Sequence, residues 1–87
     1  MPLQELLDAL DTLIQALNKA GKPPAAFFAD RAAELRQASP GDAGVRDNLQ
    51  ALATCMPMAQ YGDFSLEEEA LLGKVVDLAG DCLKALP

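Results

Sequence analysis

Residues 3–24 read LQELLDALDTLIQALNKAGKPP, and the placing of their leucines decides the fold class. Leu3, Leu7, Leu10, Ile14 and Leu17 recur at steps of four and three, which puts them on one face of an α-helix. Leu6 and Leu13 widen that stripe, while Gln4, Glu5, Asp8, Asp11, Gln15 and Asn18 take the other side. The helix is expected over 3–20. Glu5 and Asp8 sit at the end where the helix dipole favours anions, and Lys19 and Lys22 at the end where it favours cations. Gly21 is a natural C-cap, and Pro23-Pro24 stops the chain and restarts it, since proline is tolerated in a helix's first turn.

Working outward, AAFFADRAAELRQA carries a second helix to about residue 37, with Phe28, Ala32 and Leu35 inward and Phe27 beside them. A linker as short as GKPP makes the pair an antiparallel hairpin. ASPGDAG at 38–44 is the next break, with either Ser39 or Asp42 as cap. A third helix is expected over about 42–55, on Val45, Leu49, Leu52 and Met56, until Pro57 ends it. A loop at 57–64 leads to the longest helix, 65–86, whose inner side is Leu72, Val75, Val76, Ala79, Cys82, Leu83 and Leu86. Gly73 and Gly80 lie seven apart on it and point to a close helix crossing, within the chain or between two copies. The expected fold is therefore all-α: one domain over 1–87, a compact antiparallel four-helix bundle.

Composition agrees and narrows the function. In 87 residues, 51% are hydrophobic, mostly Leu and Ala, with few β-branched residues, which favours helix over sheet. Thirteen acids against seven bases leave a net charge of −6. That balance argues against nucleic acid and against anionic lipid, and it suits a basic protein partner. No apolar run approaches the ~20 residues that a bilayer needs, and the acidic N-terminus does not read as a signal peptide, so a cytoplasmic location is expected. There is no histidine, hence no Ser-His or Cys-His pair. Cys55 and Cys82 are expected to be small buried hydrophobes rather than a disulfide or half of a zinc site. No enzyme, metal or cofactor is expected.

The last segment to place is CMPMAQYGDFSLEEEALL, residues 55–72. Ser65 and Glu68 have the S-x-x-E spacing of a capping box, and Glu67, Glu68 and Glu69 meet the positive end of the helix. Solvent and that helix end are expected to keep these acids ionised, which leaves them unsuited to acid–base catalysis. Phe64 stands where a hydrophobic staple begins, but Glu69 holds the partner position, so Phe64 is expected on the core edge. MPMAQYGD is either a lid over the core or an exposed contact surface, with Tyr61 half-buried and its hydroxyl wet. Asp63-Phe64-Ser65-Leu66 is similar to the Asp-Ser-Leu of acyl carrier proteins, interrupted by Phe64. An interface needs an aromatic or Arg anchor rimmed by charge. Tyr61 with Asp63, Glu67, Glu68 and Glu69 supplies both, and these five are the expected partner-binding residues.

Taken together, the hairpin LDTLIQALNKAGKPPAAFFADRAAEL, the segment SPGDAGVRDNLQAL and the segment MAQYGDFSLEEEALLGKVVDLAGDCL resemble a family of small, acidic, all-helical bacterial proteins. Its members carry a glycine–aspartate turn, which Gly41, Asp42 and Gly44 match. They also carry a glycine- and methionine-containing loop with a phenylalanine, which Met58, Gly62 and Phe64 match in part. Tyr61 and Asp63 stand where that loop has small residues. The resemblance implies an immunity-type protein that binds and neutralises a toxin. The alternatives are a small dimeric adaptor or secretion chaperone, with a homodimer, and a degenerate acyl-carrier-like protein.

Overall fold

A computed structural model describes residues 3–38 and 43–86, and all regular structure among them is helical. The helices are α1 (Leu3–Lys19), α2 (Ala25–Gln37), α3 (Ala43–Ala53), α4 (Met58–Tyr61) and α5 (Leu66–Ala85). Four of them answer the long helices expected. The fifth, α4, is a single turn inside the segment read as a loop, too short to carry any periodicity. The turn residues Ser39, Pro40, Gly41 and Asp42 lie outside the described residues. α1 packs on α2 and α5, and α3 packs on α2 and α5 as well. The radius of gyration is 12.1 Å, close to the ~12 Å of a compact chain of this length. No helix among the described residues is long and apolar enough to cross a membrane.

The core follows the leucine stripe, rotated slightly from its expected centre. Leu6, Leu10, Leu13 and Leu17 have no exposure, while Leu3 and Ile14 are only half-buried. Phe28, Leu49, Leu52, Leu72, Val75, Ala79 and Cys82 meet them from the other helices with no exposure either. α3 stops at Ala53, so Met56 leaves the helical face assigned to it and is 43% exposed. Cys55 turns inward in its place. Pro24 and Pro57 both serve as N-caps, of α2 and α4, where a missing N–H costs nothing.

Gly73 and Gly80 do not mark a crossing within the chain. A Cβ added at either would meet nothing within 4 Å. The helix faces that pack α5 onto α1 and α3 are made by larger residues, so the backbones have no need to approach closely there.

Both thiols are shut inside. Cys55 is 6% exposed, its Sγ donates to the Leu52 carbonyl at 3.0 Å, and burial pushes its pKa up to about 11. Burial raises the pKa of Cys82 as well. The thiolate is the reacting species. At mildly alkaline pH the folded protein should therefore react with a disulfide reagent roughly two orders of magnitude more slowly than the guanidinium-unfolded chain. Prompt reaction of both thiols in the folded protein would contradict this burial.

Candidate functional site

Three helix ends meet around one ammonium group. The first is the end of α1. Gly21 has φ +70, its N–H donates to the Asn18 carbonyl at 3.0 Å, and the Lys22 N–H donates to the Leu17 carbonyl at 2.9 Å. That pair of bonds is a Schellman turn, and the left-handed residue within it favours glycine. The turn leaves Lys22 aimed away from α1.

The second is the end of α4, which closes the same way with a different residue. Asp63 takes the left-handed conformation at φ 54, its N–H donates to the Gln60 carbonyl at 3.4 Å, and the Phe64 N–H donates to the Ala59 carbonyl at 3.0 Å. Aspartate tolerates that region better than most side chains. Gly62 precedes it because Phe64 folds back over this position. A Cβ on Gly62 would stand 2.6 Å from the Phe64 ring and 3.0 Å from the Met58 carbonyl oxygen.

The third is the start of α5. The Ser65 hydroxyl accepts from the Glu68 N–H at 3.1 Å, and the Glu68 carboxylate accepts from the Ser65 N–H at 2.8 Å. The capping box read from S-x-x-E is therefore formed. Lys22 reaches this point from across the molecule. Its Nζ lies 2.5 Å from Glu68 Oε1 and donates to the Asp63 carbonyl, with the Phe64 ring centroid 6.0 Å away. The Glu68 carboxyl is held below the usual carboxylate range, first by the hydrogen bond from Lys22 and then by the Ser65 N–H, against the upward push of burial. From sequence position alone, Lys22 has only the α1 dipole to answer. Its real partners lie more than forty residues downstream, and no local rule signals them.

The five expected partner-binding residues divide on this frame. Tyr61 is 90% exposed rather than half-buried. Asp63 and Glu67 are exposed and Glu69 is half-buried. Glu68 is only 5% exposed and is spent on Lys22 and Ser65, so it braces the surface from inside instead of contacting anything outside. Phe64 packs against the core, as expected for an edge position. Of the two aromatic residues in this segment, Phe64 therefore supplies the lid and Tyr61 the outward face. Leu66, 85% exposed, lies one turn of chain further on.

The other acidic surface is less open. Asp11 pairs with Arg36 at 2.7 Å, Gln4 donates to Asp8 at 3.0 Å, and Lys74 shares a cleft with Glu5 and Asp8. No group of three or more metal-ligating side chains occurs among the described residues.

Fold and surface together define a small, acidic, all-helical protein that presents one aromatic side chain on a braced turn. No protein-family model, curated protein or solved structure matches the chain.

Proposed function

We propose that this protein is a non-enzymatic binding module whose partner is a basic protein, docked on α4 and the start of α5. The observation that carries this reading is Tyr61, 90% exposed on a turn fixed from beneath by Phe64 and Lys22. Leaving a large aromatic ring in water is unfavourable unless something covers it, and a backbone turn already fixed beneath it lowers the entropy lost on binding. Asp63, which lines one groove with Tyr61, and the exposed Glu67 at the start of α5 supply negative charge, which sets association rate and salt dependence more than lifetime. The long helices we read as an antiparallel four-helix bundle, a rigid platform for that surface. Within the binding class we favour an immunity-type protein that neutralises a toxin, in line with the resemblance of its segments to such bacterial proteins. Leu66, exposed like Tyr61 and five residues further along the chain, favours a second reading, a dimeric adaptor in which two copies cover each other.

Affinity capture with the tagged protein, compared with Tyr61→Ala, tests the site. The parent should retain a basic protein that Tyr61→Ala retains at least fivefold less well, a loss of about 1 kcal/mol or more. Equal capture by both would remove the site from α4. Capture of further copies of this chain alone would favour the adaptor. Relief of a toxic basic partner's effect by co-expression of the parent, lost with Tyr61→Ala, is the result expected of an immunity protein.

A further inference from the structure

A groove of about 430 Å³ runs between the α1–α2 turn and α4, lined by Pro23, Pro24, Met58, Tyr61, Gly62 and Asp63. Its two walls come from segments some forty residues apart. Lys22 joins them, since it precedes Pro23 in one wall and holds the Asp63 carbonyl in the other. Pro23, Pro24, Met58 and Tyr61 give the groove a mostly apolar lining, and Asp63, an exposed carboxylate residue, lines it as well. That carboxylate has no ion-pair or hydrogen-bond partner among the described residues. Lys22, which holds the Asp63 carbonyl, is already balanced by Glu68. The whole chain adds a field of net charge −6.

Resting on the protein-binding reading above, we infer that this groove takes an arginine side chain of the partner. An arginine has the matching chemistry along its length. Its alkyl stem covers apolar surface, its planar guanidinium stacks on an aromatic face, and its fork meets a carboxylate with two parallel hydrogen bonds. A purely apolar residue would bury the trough but leave the Asp63 carboxylate partly desolvated and unpaired. A lysine would reach the carboxylate without stacking on Tyr61.

The test is an NMR titration of the labelled full chain, at low ionic strength, with acetyl-Gly-Arg-Gly-amide. The control peptide carries citrulline, the neutral isostere, in place of arginine. Amide shifts should saturate at Lys22, Ala25, Gln60, Gly62 and Asp63, and the citrulline peptide should bind at least fivefold more weakly. Tyr61→Ala and Asp63→Asn should each weaken the arginine peptide at least threefold. Asparagine accepts the left-handed backbone of this position, so Asp63→Asn keeps the turn, and unchanged shifts over α1 and α3 verify the fold. Shifts centred on Glu5 and Asp8 instead, or equal binding of the citrulline peptide, would overturn the inference. If capture of a partner still depends on Tyr61 in that event, the wider reading stands without it. If the groove takes the arginine peptide but no capture depends on Tyr61, the wider reading falls and the groove chemistry remains.

Discussion

Lys22→Met should destabilise the domain by about 2–3 kcal/mol at neutral pH, and most of that loss should disappear in acid. Removing one partner of a buried pair costs about 3–5 kcal/mol because the other charge is left desolvated and unpaired. The Lys22 side chain is 21% exposed and that of Glu68 only 7%, so water reaches the pair from one side and the loss lies at or below the bottom of that range. The pH dependence follows from Glu68. Its folded carboxyl titrates below the ordinary value, so the stabilisation is complete above the unfolded pKa of about 4.3 and is lost as pH falls through the folded value. The parent should therefore lose stability below about pH 5, whereas Lys22→Met, already without most of the interaction, should follow a flatter course. Urea unfolding of both proteins from about pH 7 to about pH 3 would show this as two curves that converge. Parallel curves would mean that the pair contributes nothing to folding.

Phe28→Ala should cost more, about 3–5 kcal/mol. Phe28 is the largest side chain with no exposure, and Phe27 meets it edge-on with centroids 5.1 Å apart. Truncation removes the buried ring and leaves a cavity that the surrounding helices can fill only in part. A domain of this length is stable by roughly 4–13 kcal/mol in total, so the variant stands near the edge of unfolding. Thermal melting followed by circular dichroism should fall by more than about 10 °C. Phe27→Ala, at a half-buried position, should fall much less. A comparable, small drop for both would show that the core does not depend on this ring.

The helices were legible in the sequence because each long one repeats a signal every turn. Leu6, Leu10, Leu13 and Leu17 make α1 unmistakable, and Pro24 marks a restart that local backbone chemistry enforces, whereas Pro57, read as the end of α3, instead caps α4 after α3 has stopped at Ala53. The capping box of α5 was legible for the same reason, since Ser65 and Glu68 are only three residues apart. What escaped was everything joining distant segments. Glu68 and Lys22 each had a sufficient local explanation at a helix end, and that hid their pairing. Tyr61 and Phe64 are equally plausible lids by composition. Only the turn ending α4 decides between them, by folding Phe64 back beneath Gly62 and leaving Tyr61 outside. The Gly73 and Gly80 pattern makes no crossing within the chain, because spacing along a helix does not reveal which face its neighbours occupy.

The meeting of three helix ends at Lys22 has a consequence for how this surface can change over time. The residues that build the support, Gly21, Lys22, Phe64, Ser65 and Glu68, are distinct from Tyr61 and Glu67. If the proposed binding surface holds, substitutions at Tyr61 or Glu67 would alter what a partner meets without touching the support, so specificity could drift by single steps in a chain that still folds. Anyone transplanting this surface onto another scaffold faces the reverse condition. The MAQYGDFSLEE segment would not hold its shape alone, and the GKPP turn would have to travel with it.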